Sequence, residues 1–264
     1  MRAWLLLLCC LSLQAQPKGS LMAVFAHPDD ETIVGALLAR YAREGYRVHV
    51  VTITNGDRGK TPNTTLENGP ELGAAREKEW ACSMQKLGIA EHTMLSEHDA
   101  SLSDPRVIEM VGRKVLEKIN AFKPDVLLTW GPDGVTGHPD HRAASNITTQ
   151  LFSQRAALAH KPRKLYYIAM SERQFEGAEM DGRRVPFRLV ADELITTWVD
   201  CRKYSAAAFA AIQCHKTQWD TRRMEWNQQM FEKIQEGKVT LRLAMTDLPF
   251  PKGRETDIFE GLRQ

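Results

Sequence analysis

The chain predicts an α/β fold: a mostly parallel sheet with helices on both faces. Three observations carry this. Short apolar runs alternate with longer amphipathic segments through the first two thirds of the sequence, the pattern of strands joined through helices. At 264 residues and 43% hydrophobic content the chain can bury one such sheet and is short for two domains. Charged residues make up 26%, an ordinary globular share.

Taken in order, Leu21 to Ala26 is an apolar run that reads as a buried strand, and Thr32 to Arg43 follows as a helix with Ile33, Val34, Leu37, Leu38 and Tyr41 on one side. Arg47 to Thr54 is rich in β-branched residues and reads as a second strand, stopped by Asn55-Gly56. Thr61 to Pro70 is a polar loop. Glu71 to Leu87 reads as a helix closed by Gly88, and His92 to Leu95 as a short, weakly patterned strand. Asp104-Pro105 opens a helix to about Phe122, with Val107, Ile108, Val111, Val115 and Ile119 as its apolar stripe. Asp125 to Trp130 is another buried strand, Arg142 to Leu158 a helix, and Leu165 to Met170 a further strand. Beyond Ser171 the pattern loosens. A helix is expected over about Arg202 to Trp219, and a surface extension from Pro249.

Residues 1–15 stand apart from this fold. Arg2, the apolar run Ala3 to Leu13 and the small and polar residues after it have the layout of a secretory signal, cleaved after Ala15, with 16–264 as one domain. The run falls short of the roughly 20 apolar residues of a comfortable membrane span, so no stable span is expected in the mature form. The location expected is periplasmic or secreted. An uncleaved anchor, or a lipid on Cys9 or Cys10, is the alternative, although Leu-Leu and Leu-Cys before those cysteines are not the small residues of a lipidation site. Removal of the signal leaves Cys82, Cys201 and Cys214, an odd and widely spaced set that reads as three buried apolar residues. The net charge of +2 is spread without a basic stripe, which argues against nucleic acid as a partner.

Two motifs carry chemistry. His27-Pro28-Asp29-Asp30-Glu31 follows the first strand, and His138-Pro139-Asp140-His141 lies between the Trp130 strand and the next helix. Ligands gather at the carboxyl ends of strands in an open α/β sheet, so the two motifs can converge across the hundred residues between them. A catalytic zinc site takes three protein ligands and keeps one open position. His27 and Asp30, three apart at a helix start, with His141, supply such a set. Asp29 is then free to act as a general base, and His138 to stabilise an oxyanion or protonate a leaving amine. Asp140 suits the orientation of one of these histidines. Structural explanations exist for each: Asp29 and Asp30 can serve a helix N-terminus, and Glu31 is assigned mainly that way.

With these residues in view, Ala26-His-Pro-Asp-Asp-Glu31 and Gly137-His-Pro-Asp-His141 resemble the LmbE-like (PIG-L) de-N-acetylase family. Thr54-Asn-Gly-Asp57, Ala75-Arg-Glu77, the segment Lys123 to Gly134 and Cys214-His-Lys-Thr-Gln218 agree with it, so the similarity spans about Leu21 to Gln218. The resemblance implies a Rossmann-like sheet and one divalent metal, usually zinc, with iron or another divalent ion fitting the same donors. It implies a small-molecule or glycan substrate hydrolysed at an N-acetyl or related amide. It makes His27, Asp30 and His141 the ligands, Asp29 the base and His138 its electrostatic partner. Arg76 and Arg58 become candidates for holding substrate, Arg76 with a salt-bridged structural role as the alternative. His215 either reaches the site or caps its helix, the second being preferred. A larger-acyl or thiol-conjugate amidase and a non-catalytic carbohydrate binder are the rival expectations. No Gly-rich turn follows the first strand and no G-x-S-x-G elbow occurs, which leaves dinucleotide binding and serine catalysis without residues.

Overall fold

The computed structural model describes residues 16–180 and 182–262; the expected signal segment lies outside them. The strands are β1 (Ser20–Phe25), β2 (Arg47–Thr54), β3 (Glu91–Glu97), β4 (Val126–Trp130), β5 (Lys164–Ile168), β6 (Met170–Ser171), β7 (Glu179–Met180), β8 (Arg183–Arg184), β9 (Leu189–Val190), β10 (Thr197–Asp200) and β11 (Lys238–Thr246). The helices are α1 (Gly35–Arg43), α2 (Pro70–Leu87), α3 (Pro105–Phe122), α4 (Pro139–Ser153), α5 (Ser205–Ile212) and α6 (Thr221–Gln229).

Seven strands form the main sheet in the order β10-β11-β5-β4-β1-β2-β3. From β5 to β3 every neighbouring pair is parallel, while at one edge β11 pairs antiparallel with β5 and β10 antiparallel with β11. Helices α1, α2 and α5 pack together, and α3 packs with α4. All six residues of β1 and all five of β4 are buried, as central strands covered on both faces must be. The expected helix ends are used: Asp104 caps α3 by accepting from Arg106 N, Pro105 opens it, and Gly88 closes α2 at φ 79°. The topology therefore matches the expected mostly parallel sheet and adds the antiparallel edge, which strand alternation alone does not reveal.

Four expectations are corrected. The helix after β1 starts as a 3₁₀ turn, Asp30–Val34, and is α-helical only from Gly35, because the Asp30 carboxylate turns back onto the end of β1. The helix after β4 begins at Pro139, not Arg142, since His138 caps it with Nδ1, and it ends at Ser153. The long helix expected to Trp219 is a 3₁₀ turn and then α5, ending at Ile212. Cys214 is drawn away to a disulfide with Cys82, 132 residues distant, so among the described residues only Cys201 is a free thiol, and it is buried. The C-terminal tail is no surface extension. Ile258 and Phe259 are buried, and Phe259 stacks on Tyr46 at 4.3 Å between ring centroids. Glu255, also buried, accepts from Lys164 Nζ, from Tyr166 Oη at 2.7 Å and from Thr197 Oγ1 at 3.0 Å.

Candidate active site

The sheet order reverses between β1 and β4, whose outgoing loops leave side by side; a crevice forms at such a switch point. The loop after β1 brings His27, Asp29 and Asp30, and the loop after β4 brings His138, Asp140 and His141. Asp30 Oδ2 accepts from the backbone N–H of Ala26 and of His27, both at 2.9 Å, which aims Oδ1 across the crevice to 3.1 Å from His141 Nε2. His27 Nδ1 lies 3.2 Å from the same His141 Nε2 and 3.8 Å from Asp30 Oδ2.

The opposite edges of both rings are already committed. His141 Nδ1 faces the Gly134 carbonyl at 2.9 Å, and the ring lies flat on Trp130, centroids 4.2 Å apart. His27 Nε2 faces Asp99 Oδ1 at 3.1 Å and Asp140 Oδ2 at 3.3 Å. This bonding assigns the protons to the outer nitrogens, so two bare ring nitrogens and a carboxylate face one another. Three such acceptors in contact are held together by a shared cation, either protons or a metal ion. Atoms bound to zinc at 2.0–2.1 Å in a tetrahedron lie about 3.3 Å apart, close to the spacings here, so the residues fit a divalent metal. Without a metal ion, protons serve as the shared cation. Burial works against charge on each group, yet His141 and His27 hold the Asp30 acid below its usual range, and the surrounding carboxylates raise both imidazoles. Ring nitrogens of His27, His138 and His141 also lie within 4.8 Å of one another, so His138 borders the same point.

Asp29 is placed differently from Asp30. Its carboxylate lines the cavity and makes no side-chain hydrogen bond or ion pair among the described residues. Burial, and then the Asp30 charge beside it, pushes its acid up to about 7, where a carboxylate can take and return a proton near neutral pH. His138 accepts from Asp140 N through Nδ1 at 3.2 Å, leaving Nε2 to carry the proton. Burial, with His27 and His141 nearby, lowers its basicity, so it is a neutral donor. Asp140 is buried, accepts from Ala100 N at 2.9 Å and faces His27, rather than touching the cavity.

The two arginines separate. Arg76 is buried and donates to the carbonyls of Gly56 (2.8 Å) and Gly59 while bordering the cavity; it clamps the turn after β2. A Cβ at Gly59 would sit 2.5 Å from Arg76 Nη1, so any other residue there would push the guanidinium aside. Arg58 is exposed and outside the cavity wall. His215, expected to cap its helix, instead bonds the buried Glu31 at 2.8 Å. Asp99 is the site residue that sequence reasoning missed. It follows β3, and Asp57 of the Asn-Gly-Asp turn fixes it by accepting from Asp99 N (2.9 Å) and pairing with His98 (2.6 Å). An acid at a strand's carboxyl end was its only signal.

From the reactive cluster a cavity of about 360 Å³ runs under α1, α5 and the π turn Met230–Ile234. Ile33, Ala36, Ala208, Ile212, Met230 and Phe231 give it an apolar wall.

Residues 22–152 match the family model described as PIG-L: GlcNAc-PI de-N-acetylase. The chain is 33% identical, over 232 residues, to a 1D-myo-inositol 2-acetamido-2-deoxy-alpha-D-glucopyranoside deacetylase of Saccharomonospora viridis, covering 75% of this chain and 84% of the relative. N,N'-diacetylchitobiose deacetylase from Pyrococcus horikoshii shares the fold, with a TM-score of 0.66 at 19% identity over 88% of this chain and 87% of that one. So does 4-carboxy-2-hydroxymuconate hydratase from Pseudomonas putida, with a TM-score of 0.63 at 16% identity over 87% and 98%. The last two catalyse different reactions on one fold, so the choice of chemistry lies with the site.

Proposed function

Because the chain belongs to the GlcNAc-PI de-N-acetylase (PIG-L) family, we propose that it is a metal-dependent hydrolase that cleaves an N-acetyl group from an amino sugar or glycoconjugate, releasing acetate and a free amine. The observation that carries this reading is the meeting of two inward-facing imidazole nitrogens and the Asp30 carboxylate beside an uncommitted Asp29. His27 Nδ1, Asp30 and His141 Nε2 would hold the ion, zinc being the one whose geometry these donors suit. Such an ion supplies Lewis acidity to the amide carbonyl and to the attacking water.

The remaining work belongs to the chain. Asp29 takes the proton of the water as the C–O bond forms, and returns a proton to the nitrogen as the C–N bond breaks. His138, neutral and with Nε2–H toward the crevice, donates to the developing oxyanion. Asp99 and Asp140 accept from His27 Nε2–H and hold that ring in the tautomer that leaves Nδ1 free. A carbohydrate binder would have no use for Asp29. The apolar wall favours one second reading, an amidase acting on a larger acyl group. The Cys82–Cys214 disulfide supports export through residues 1–15, since such bonds persist in oxidising compartments.

The test is metal analysis of the purified protein with a panel of N-acetyl and longer N-acyl amino sugars. We expect one divalent ion per chain, and acetate release that a chelator abolishes and added metal restores. A metal-loaded protein that hydrolyses none of the panel would refute the proposal; preference for long acyl chains would select the second reading.

A further inference from the structure

Asp29 is held in a backbone conformation that its own side chain disfavours. Its φ of 114° is rare for a residue with a Cβ, and conformations of this kind persist only when the surroundings impose them. The surroundings here are specific. The Pro28 carbonyl accepts from Gln218 Nε2 at 2.8 Å, Asp29 N donates to Glu31 Oε2 at 3.1 Å, and the Asp29 carbonyl accepts from Thr32 N at 2.9 Å and Thr32 Oγ1 at 2.6 Å. Glu31 is fully buried and does not line the cavity. Its other oxygen, Oε1, is gripped by His215 Nε2 at 2.8 Å and Ser83 Oγ at 2.5 Å. His215 is equally buried, and its Nδ1 lies 3.3 Å from Gln218 Nε2. Ser83 and His215 are the chain neighbours of Cys82 and Cys214, which are bonded to each other.

Buried ion pairs are often no more stabilising than apolar packing, so a fully enclosed carboxylate–imidazole pair needs another reason to be there. From this geometry we infer that His215 and Glu31, with Ser83 and the adjoining Cys82–Cys214 disulfide, are positioning residues for Asp29. They hold the strained turn so that its carboxylate stays on the cavity wall. The inference rests on the reading of Asp29 as the base.

The test uses the full-length, metal-loaded protein and compares His215→Ala, His215→Gln and the double variant Cys82→Ser/Cys214→Ser by kcat, KM, metal content and the amide ¹H–¹⁵N resonance of Asp29. A displaced base costs about tenfold to a hundredfold, so His215→Ala should lose that much kcat at unchanged KM and metal content, with the Asp29 resonance shifted. His215→Gln, whose side-chain nitrogen can still donate to Glu31, should recover most of both. The double cysteine variant leaves the hydrogen bonds of Glu31 in place. It should show a smaller loss of kcat in the same direction, and it carries the test if His215→Ala does not fold. Unchanged kcat and resonance, a defect confined to KM or metal content, or no recovery by glutamine would overturn the inference. A wild-type protein without turnover would instead remove the hydrolase reading, while the Asp29 resonance would still report whether the turn is held.

Discussion

Residues 20–153 and residues 197–262 build the same sheet and wall the same cavity, but by opposite means. The first region is parallel, and every reactive side chain it supplies lies within a short loop of a strand's carboxyl end: His27, Asp29 and Asp30 after β1, Asp99 after β3, His138 and His141 after β4. The second is antiparallel where it joins the sheet and contributes no group to the reactive cluster. It supplies the far wall through Ala208, Met230 and Phe231, the grip on Glu31 through His215, and Glu255, which the buried Lys164 and Tyr166 of β5 hold. Chemistry is thus placed by local sequence, and its surroundings by contacts from far along the chain.

The sharpest break between the regions is Asp29→Ala. Loss of a general base costs about 10²- to 10⁴-fold, so kcat should fall by that amount while metal content stays at the wild-type level; loss of the metal in this variant would exchange the roles of Asp29 and Asp30. The same group sets the acid limb. Its folded pKa is raised, to about 7, so the base is active only above that value, and activity measured against pH should decline as pH falls through it. A bound cation, by favouring the carboxylate, moves that limb lower, and an acid limb above pH 7 would contradict the assignment.

In the second region the largest effect should fall on stability. Glu255→Ala leaves the buried Lys164 ammonium without its partner, a change worth about 3–5 kcal/mol. Denaturant unfolding should show that loss, while kcat per folded molecule stays within twofold or so of wild type. A drop in kcat at unchanged stability would mean that this cluster reaches the site. Smaller still is Phe231→Ala, which shortens the apolar wall. It should lower kcat/KM for long N-acyl substrates about tenfold relative to N-acetyl ones, and an equal loss on both would place Phe231 outside the acyl path.

Much of the first region was legible because its signals are local. The β2 limits, Arg47 to Thr54, follow from a run of β-branched residues, and Asp104-Pro105 opens α3 as its capping chemistry requires. The His-Pro-Asp segments pointed to the crevice because turns after parallel strands have nowhere else to go. Arg58 and Arg76 show the limit. Both belong to similar-looking polar contexts, and only packing buried one against the Gly56–Gly59 turn and left the other in solvent.

The amino-acid order by itself determined where strands and helices alternate and which imidazoles and carboxylates stand at the strand ends, because periodicity and turn chemistry act over a few residues. Only the tertiary structure decided that Cys214 bonds Cys82, that Asp99 joins His27, that His215 turns inward to Glu31 and that the tail packs on Tyr46. Each of those choices couples residues dozens to hundreds of positions apart, and no local propensity encodes which distant partner will fill a given space.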